Sequence, residues 1–238
     1  MSRRGKFITF EGLDGTGKST QMRRLAVALR AAGCKVIETR EPGGTVTGEK
    51  IRRVLLDSKT ESLSPAAEMA LMFASRAQHI AEVIQPALER GEIVLCDRFT
   101  DSTVAYQGYG RKLGVESVLQ LHKILCGGLQ PELTIVLDSD PARSLGRARR
   151  RNQLASYRAK NGARNSSKKN TERSHSDENR FEQQSRGFFI RVHEGYQAIA
   201  LREPQRIVAV DASGTPAQTH RRIVEVVEAR LKLGARKP

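Results

Sequence analysis

The sequence predicts an α/β protein with a five-stranded parallel sheet flanked by helices. Short runs of β-branched and aromatic residues alternate with stretches that carry apolar residues at helical spacing, and this alternation is typical of a parallel sheet covered on both faces. The length of 238 residues and the 38% content of hydrophobic residues suit one domain with a sizeable core. We therefore expect a single domain over residues 1–238.

The predicted elements follow one another in a regular order. The first strand leads through a glycine-rich turn into a helix. Two helices, 48–57 and 66–90, precede the third strand, and Ser64 and Pro65 open the second of them in cap and first-turn positions. A final helix is predicted over 216–233. The five predicted strands are 6–10, 35–39, 92–97, 133–137 and 206–210.

The first loop carries a phosphate-binding motif, at the carboxyl edge of the sheet where such folds bind ligands. Residues 12–19 fit G-x-x-x-x-G-K-[ST] between a predicted strand and a predicted helix. Glycines let backbone N–H groups surround phosphate oxygens, and the helix that begins near Lys18 points its positive end at them. Lys18 is expected to reach the β and γ phosphates of a nucleoside triphosphate, and Ser19 to hold Mg²⁺. The predicted ATP-binding residues are Gly12, Leu13, Asp14, Gly15, Thr16, Gly17, Lys18 and Ser19.

Arginines gather around the following strand ends and helices, where a second anion would sit. The segment Arg-Glu-Pro-Gly-Gly-Thr at 40–45 follows the second strand, Arg52 and Arg76 lie on predicted helices, and Asp97 and Arg98 end the third strand. Because a planar guanidinium binds phosphate oxygens in pairs, this group predicts an acceptor that carries phosphate. Asp97 closes an apolar run, which is the usual place for a carboxylate that binds Mg²⁺; a strand-end cap or a partner to Arg98 is the alternative.

One basic segment interrupts the pattern. Residues 142–175 contain eleven Lys or Arg and a single acid, Glu172, and so supply much of the formal net charge of +15. The second half, 160–177, is rich in Asn, Ser and Lys and predicts a mobile loop. A solvated loop and a basic arm that binds nucleic acid are both open, although Tyr157 is the only aromatic residue there and base stacking is not expected. Helical pattern resumes at 178.

The composition argues against membrane, secreted and zinc-binding classes. No part of the sequence approaches the 18 consecutive apolar residues that a membrane-spanning helix needs. The first apolar run is interrupted by Glu11 and is too short for a signal peptide. Cys34, Cys96 and Cys126 are odd in number and lack the spacing of a zinc site or a disulfide framework. We expect a cytoplasmic protein with reduced thiols and no membrane partner.

Several segments together resemble the thymidylate kinases, a family of P-loop nucleoside monophosphate kinases that phosphorylate dTMP. They are the phosphate-binding motif, Arg-Glu-Pro-Gly-Gly-Thr at 40–45, Asp97-Arg98 with Ala-Tyr-Gln at 105–107, and Pro-Glu-Leu-Thr at 131–134. The resemblance covers nearly the whole chain apart from the basic insert, and it implies a lid at about 142–180. Within that lid, the basic and flexible insert expected at about 152–177 has no counterpart in the family. It implies direct in-line transfer of a phosphoryl group from ATP to dTMP with Mg²⁺, and a homodimer formed through the long helices.

By position, the resemblance also implies roles for single residues. Asp14 would meet the 3′-hydroxyl of the acceptor, and Tyr106 would pack under the deoxyribose, where a 2′-hydroxyl does not fit. Thr103 and Gln107 would read the thymine edge. The arginines expected to hold the acceptor phosphate are Arg52, Arg76 and Arg98; the groups expected near the metal are Ser19, Asp97 and Glu11; and the expected catalytic residues are Lys18, Asp14, Arg98 and Arg151.

Two departures from the family pattern bear on the site. The family stacks an aromatic ring on thymine four residues before the helix arginine, but here that position is Met72, and Phe73 is three residues before Arg76. Phe73 is the residue predicted to stack on thymine, and Met72 is the rival candidate. If Phe73 does not stack on thymine, the alternative is that it is an ordinary core residue.

The second departure concerns the catalytic arginine. Some members carry one inside the P-loop, where this chain has Gly15, so the resemblance implies an arginine from the lid. Arg151 best matches the one that reaches the transferred phosphoryl group. The lid arginines in this pattern are Arg147, Arg149 and Arg151, and Arg149, Arg150 and Arg158 remain alternatives to Arg151.

Two competing functions were weighed against this interpretation. A deoxynucleoside kinase shares the Asp-Arg motif, but the Arg-Glu-Pro-Gly-Gly-Thr segment and the lid arginines argue against it. A nucleic-acid-stimulated ATPase would explain the basic segment, yet the arginines needed for two phosphorylated substrates already account for part of the charge. The expected partners are therefore ATP and dTMP; nucleic acid is not expected, although the basic insert keeps it open as an alternative.

Overall fold

The fold is built on five parallel strands in the spatial order β2-β3-β1-β4-β5. The computed structural model describes residues 4–57, 63–164, 180, 181 and 183–231. The predicted five-stranded parallel sheet is confirmed, and each strand begins and ends within one residue of its predicted position. The strands are β1 (Lys6–Glu11), β2 (Val36–Arg40), β3 (Ile93–Asp97), β4 (Leu133–Asp138) and β5 (Ile207–Asp211).

Helices cover both faces of the sheet. The helices in the described ranges are α1 (Lys18–Ala31), α2 (Val46–Leu56), α3 (Pro65–His79), α4 (Gln85–Glu89), α5 (Thr100–Thr103), α6 (Val115–Cys126), α7 (Pro141–Arg164), α8 (Arg186–Arg202) and α9 (Pro216–Leu231). A π-helical segment at Ile80–Ile84 joins α3 to α4, so the long helix predicted before the third strand is present. A second one, Val104–Gly110, continues α5. Such segments often lie at functional sites, and this one carries two predicted site residues.

The central strand β1 divides the core between the two helical layers. On one face Phe10 and Ile8 pack with Leu25 of α1 and Ile223 of α9. On the other face α3, the π-helical segment 104–110 and α8 share a cluster that contains Phe73, Tyr106, Phe188 and Tyr196. This second cluster forms the floor under the loops that follow the strands. Apolar burial of this extent is the main force that fixes those loops in place.

Local signals set the ends of two helices next to the site. The Thr45 hydroxyl accepts a hydrogen bond from the Gly48 N–H at 2.9 Å and caps α2. Ser64 caps α3 by accepting from the Ala67 N–H, with Pro65 in the first turn, as predicted. These caps hold the helices that carry Arg52 and Arg76.

The structure differs from the sequence-based expectation after β4. Helix α7 runs on to Arg164, so the first half of the insert expected at 152–177 is helical and not a loop. Residues 165–179 lie outside the described residues, and the flexibility of that part stays a prediction. Helix α8 begins at Arg186 and not at 178, because the Ser185 hydroxyl accepts from the Phe188 N–H and caps it there. Phe181 is therefore in a turn before the helix.

Among the helices of the described ranges, none combines the length and the hydropathy needed to cross a lipid bilayer.

Candidate active site

The site lies at the carboxyl edge of the sheet, where the chain reverses its direction of winding. β1 has β3 on one side and β4 on the other, so the loops after these strands diverge and leave a crevice. Open parallel sheets bind ligands at this switch point. The loop after β1 is the predicted phosphate-binding motif.

The glycine-rich loop has the backbone that a phosphate cradle needs. Gly12, Gly15 and Gly17 all have positive φ angles, of 123°, 81° and 100°. Helix α1 begins at Lys18, directly after the loop, so its unpaired N–H groups and positive dipole end face the loop. The Lys18 ammonium lies within the loop and donates to the carbonyl oxygens of Gly12 at 3.1 Å and Leu13 at 2.9 Å. Backbone N–H groups and one lysine thus converge on a single space.

Charge and burial alter the acidity of the groups around the loop. Burial lowers the pKa of Lys18 to about 8, and the positive charge of Arg98 adds to this effect, while Asp14 and Asp97 oppose it. Burial on its own would raise the pKa of Asp14, but Arg98 and Lys18 outweigh it and hold that pKa well below its usual range. Asp14 is therefore ionised throughout the physiological range.

The residues predicted to hold Mg²⁺ separate into two groups. The Ser19 hydroxyl donates to the Asp97 carboxylate at 2.7 Å beside the start of α1. An exposed hydroxyl and a carboxylate next to a phosphate cradle are oxygen donors of the type that Mg²⁺ takes together with nucleotide phosphates. These two residues therefore fit a divalent cation.

Glu11 does not belong to that group. Its side chain is fully buried, and it accepts hydrogen bonds from the Phe99 N–H and from the hydroxyls of Ser102 and Tyr196. Both oxygens are engaged, and burial together with the nearby charge of Asp101 raises the pKa of Glu11 to about 7. We therefore correct the expectation that Glu11 binds the metal: the structure places it beneath the loop after β3, where it fixes the backbone before α5.

A cavity of ≈ 200 Å³ opens next to the phosphate cradle. Its walls come from the loops after β1, β2 and β3, from α2 and α3, from the π-helical segment 104–110, from α7 and from the turn before α8. The predicted acceptor residues that line it are Asp14, Arg52, Arg76, Arg98, Thr103, Tyr106 and Gln107, and the predicted lid residue that lines it is Arg151. The sequence-based expectation thus identifies residues that the fold brings to one cavity.

Arg98 joins the acceptor cavity to the phosphate cradle. Its backbone has a φ of 74°, a left-handed conformation that is uncommon for residues other than glycine and that often marks a functional site. The guanidinium donates to Asp14 Oδ1 at 2.8 Å and to the Tyr106 hydroxyl at 3.2 Å. It also donates to Ser102 and Tyr196. Four partners fix the plane of this arginine at the mouth of the cavity.

Arg76 is the most informative side chain of the cavity. It is only 2% exposed; its Nε donates to the Glu41 carboxylate at 2.7 Å, and its Nη2 donates to the Thr103 hydroxyl at 3.0 Å. Its Nη1 is buried and has no hydrogen-bond partner among the described residues. A buried donor left without an acceptor costs roughly 1–3 kcal/mol, so an acceptor from outside the protein, a ligand or a water molecule, would stabilise this arginine.

Tyr106 and Gln107 reach the cavity from the π-helical segment. The Tyr106 ring lies under the Arg98 guanidinium at 5.0 Å, and burial raises the pKa of its hydroxyl, which stays protonated and donates to Asp14. The Gln107 amide nitrogen donates to the Glu68 carboxylate at 2.8 Å. An amide held by its nitrogen presents its oxygen on the opposite side.

The structure corrects the predicted stacking residue. Phe73 is fully buried and does not line the cavity; its ring packs near His122 and under the Arg76 guanidinium. Met72 lines the cavity instead. Glu68, Met72 and Arg76 are spaced by four residues and so share one face of α3, whereas Phe73 points to the core. Phe73 therefore has the ordinary core role, and its rival Met72 is the one of the two that lines the cavity.

Helix α7 packs directly on the P-loop at Gly15, the position at which the resemblance implies an arginine in some members. This packing leaves no room for a side chain at that position. A Cβ atom at Gly15 would lie 2.1 Å from the carbonyl oxygen of Ser144 and 3.0 Å from the N–H nitrogen of Ala148. No side chain can be placed there without moving α7. This close contact positions the helix that carries Arg151 into the cavity.

The other lid arginines lie elsewhere on α7. Arg147 donates to the hydroxyls of Ser139 and Ser144 at the base of the helix, and Arg149 and Arg150 are exposed and do not line the cavity. The side chain of Arg158 lies outside the described residues. Among the described lid arginines, Arg151 is the one at the cavity.

Sequence reasoning missed several residues of this site. Glu41 and Glu68 accept hydrogen bonds from Arg76 and Gln107, which line the cavity, and Phe181 and Asn152 line it themselves. Glu68 had a usable signal, since an acid at four-residue spacing from Met72 and Arg76 lies on the helix face that carries a predicted acceptor arginine. Phe181 had none, because the helical pattern assigned it to a core stripe.

The fold and the site together define a P-loop phosphotransferase of the nucleoside monophosphate kinase type, with a phosphate cradle and an arginine-lined acceptor cavity at one sheet edge. The family model described as thymidylate kinase matches residues 10–168. The chain is 47% identical over 210 residues to the thymidylate kinase of Solidesulfovibrio magneticus, covering 88% of this chain and 92% of that protein. It is 44% identical over 232 residues to one from Synechococcus sp. strain JA-3-3Ab, covering 98% and 100%.

A solved structure agrees with the sequence comparisons. The crystal structure of thymidylate kinase from Ehrlichia chaffeensis superposes with a TM-score of 0.68 at 29% identity, over 94% of this chain and 99% of that chain. The chain belongs to the thymidylate kinase family. It is a phosphotransferase, and the resemblance inferred from its motifs is confirmed.

Proposed function

We propose that this chain transfers the γ-phosphoryl group of ATP to dTMP, giving dTDP and ADP. The observation that carries the acceptor assignment is the buried, unpaired Nη1 of Arg76 in a cavity that adjoins the phosphate cradle. Family membership supplies the identity of the nucleotide, and the cavity supplies the groups that would hold it.

The phosphate of the acceptor is held at the end of the cavity nearest the P-loop. Arg98 lies there, fixed by Asp14, and Arg52 and Arg151 line the same space. Guanidinium groups from separate elements can bind one phosphate from several sides and hold it in line with the γ-phosphate. The Asp14 carboxylate, ionised and beside Tyr106, would accept a hydrogen bond from the 3′-hydroxyl of the sugar.

The base is held at the other end. Arg76 was expected with the phosphate, but its bond to Thr103 and its place one turn after Met72 put it on the side of the predicted base-reading residues. We therefore assign its unpaired Nη1 to the O4 oxygen of thymine. The Gln107 amide oxygen accepts from the N3–H of the base, and the Met72 side chain packs on the ring.

Tyr106 accounts for the preference for a deoxyribose. It is buried, and its ring is enclosed edge-on by Phe181 at 5.7 Å and by Phe188 at 6.0 Å. A ring held on several sides cannot move aside for an added hydroxyl group. A 2′-hydroxyl against it would lose its hydration without gaining a partner.

The transfer itself requires positioning and charge neutralisation rather than a covalent intermediate. Lys18 and the backbone N–H groups of residues 12–19 bind the phosphates of ATP, and Arg151 on α7 stabilises the charge that develops on the transferred group. Ser19 and Asp97 are the residues that would hold Mg²⁺, which neutralises phosphate charge when it is bound.

The protein is further proposed to be a cytoplasmic homodimer. Helix α6 exposes Ile124 and Leu125, which are 75% and 46% accessible when the described residues of the single chain are considered. Large exposed apolar side chains of this kind are suited to a contact between copies. Light scattering coupled to gel filtration should give twice the mass of 26.4 kDa.

A coupled assay of ADP formation with a panel of nucleotides tests the activity. With Mg·ATP, kcat/KM for dTMP should exceed the values for AMP, CMP and UMP by at least about 100-fold, since each of these lacks a group that the cavity recognises or carries a 2′-hydroxyl. Thymidine should not be phosphorylated. Equal turnover of dTMP and the ribonucleotides would refute the proposal, and activity on thymidine would favour a deoxynucleoside kinase.

A further inference from the structure

Glu68 lies under the acceptor cavity, outside the set of residues expected to contact the nucleotide. Its side chain is fully buried on α3, and its two oxygens accept four hydrogen bonds. Oε1 accepts from the Gln107 amide nitrogen at 2.8 Å and from Arg111 Nε at 3.1 Å. Oε2 accepts from Arg111 Nη2 at 3.0 Å and from Arg180 Nη2 at 2.7 Å.

We propose that Glu68 is the positioning residue that fixes the orientation of the Gln107 amide and thereby sets the preference for a base with an N3–H donor. An ionised carboxylate can only accept hydrogen bonds, so the NH₂ group of Gln107 must face it and the amide oxygen must face the cavity. This inference rests on the proposed function, in which Gln107 reads the base edge.

The positive charges around Glu68 keep its carboxyl group ionised, so that it can only accept hydrogen bonds. Burial on its own would raise the pKa of this carboxyl, but the hydrogen bonds from Arg111 and Gln107 and the charge of Arg111 hold that pKa below its ordinary value. Arg111 and Arg180 are fixed in turn: Arg111 lies over the Phe188 ring at 4.9 Å, and Arg180 lies over the Phe181 ring at 4.7 Å. The carboxylate therefore has rigid cationic partners on one side and the amide of Gln107 on the other.

A change of Glu68 to glutamine should reverse the Gln107 amide. The single carbonyl oxygen of the new side chain is best placed where Oε2 now meets two arginine N–H groups, because Oε1 meets only one, that of Arg111 Nε, and an arginine cannot become an acceptor. Arg111 Nε then loses its acceptor in E68Q, which lowers stability but acts equally on both substrates. The new NH₂ group then faces Gln107, which can respond by turning its oxygen inward and its NH₂ toward the cavity. A donor in that position suits the unprotonated N3 of a cytosine ring.

The test compares dTMP with 5-methyl-dCMP, which differ at positions 3 and 4 of the base and share the sugar, the phosphate and the methyl group. The ratio of their kcat/KM values is independent of how much of each preparation is folded. E68Q should lower this ratio by roughly 10- to 100-fold, since one buried donor and acceptor pair is exchanged for another. E68D retains a carboxylate and should keep the ratio near the wild-type value even where kcat/KM falls.

Two control variants distinguish a positioning role of Glu68 from a purely structural role. Glu89 is an exposed glutamate that also accepts from a glutamine amide, that of Gln85 at 2.8 Å, and E89Q should leave the ratio unchanged. In Q107L the ratio should fall, and adding E68Q to Q107L should change it by less than about twofold, because the amide that Glu68 orients is then absent. If E68Q lowers both kcat/KM values equally, or lowers the ratio further in Q107L, the inference is wrong.

Failure of the proposed function would be visible in the wild-type protein alone, as turnover of dTMP no better than that of the other nucleotides. If E68Q does not fold, the side-chain amide signal of Gln107 in ¹⁵N-labelled wild-type protein, assigned by its loss in Q107L, gives a second measurement. It should be protected from exchange before dTMP is added and should keep that protection afterwards. An amide that is unprotected before dTMP binds would overturn the inference.

Discussion

The contact between Gly15 and α7 gives the sharpest single prediction. An alanine Cβ at position 15 would lie 2.1 Å from the Ser144 carbonyl oxygen, whereas real Cβ atoms essentially never come closer than 3.0 Å, so α7 must move by about 1 Å. Because Arg151 extends from α7 into the cavity, G15A should displace it by a similar distance. A misplacement of this size costs about 100-fold in rate, so kcat should fall by that factor.

The assay needs a control for the backbone, since Gly15 also has a φ of 81°. Gly33 has nearly the same φ, 80°, but an added Cβ there meets nothing within 4 Å. G33A should therefore show only the conformational cost of about 1–2 kcal/mol in the free energy of unfolding, with kcat unchanged. Steady-state kcat from coupled ADP release and urea unfolding should be measured for both variants. The reasoning is refuted if G15A keeps kcat within threefold of wild type.

Three further predictions concern the lid, the base and a buried histidine. R151A should lower kcat by about 10³-fold with little change in the KM for dTMP, whereas R149A should keep a kcat near that of wild type. If steady-state kinetics show a lower kcat for R149A than for R151A, the catalytic role belongs to Arg149. M72A should raise the KM for dTMP, whereas F73A should lower the free energy of unfolding by about 3–5 kcal/mol. Steady-state kinetics and urea unfolding that show the reverse pattern would indicate that Phe73, and not Met72, contacts the base. Burial and the charge of Arg76 lower the pKa of His122, so the folded state takes up the proton less readily than the unfolded state. The contribution of His122 to stability should be full above about pH 6.5 and fall below it by up to about 1.4 kcal/mol per pH unit. Urea unfolding at pH 8 and pH 5.5 should therefore show a larger loss of stability in wild type than in H122N, and equal losses would contradict this reasoning.

The sheet and the phosphate cradle could be predicted because their signals are local. A strand needs a few β-branched or aromatic residues between turns, and a P-loop needs glycines and a lysine at fixed spacing, so both are present in continuous sequence. The arginines could be gathered into one site because parallel strands place their carboxyl ends at the same edge. For these features, the order of the residues along the chain is enough to predict the structure.

The orientation of side chains on a helix could not be predicted to one position. Phe73 and Met72 are neighbours, and a rotation of 100° per residue decides which of them faces the ligand. The packing of Phe73 near His122 and under Arg76 settles this, and His122 lies about fifty residues away in the chain. Only tertiary contacts contain that information.

Two of the buried glutamates, Glu11 and Glu68, show the same limit. Glu11, the last residue of β1, was expected at the metal because the family resemblance implied it, but the Phe99 N–H and the Tyr196 hydroxyl, from distant segments, engage its oxygens. Glu68 accepts hydrogen bonds from Arg111, which follows the π-helical segment, and from Arg180, which follows the lid helix α7. Partners of a buried charge are set by the fold, so the sequence alone cannot name them.

The central claim is that the cavity beside the P-loop is the dTMP site, with the base at Arg76 and Gln107 and the phosphate at Arg98. A crystal structure with dTMP and a non-hydrolysable ATP analogue tests it most directly. We predict thymine O4 within hydrogen-bond distance of Arg76 Nη1, N3 at the Gln107 amide oxygen, and the acceptor phosphate between Arg98 and Arg151. A phosphate bound at Arg76 Nη1, or a thymine ring stacked on Phe73, would contradict this account.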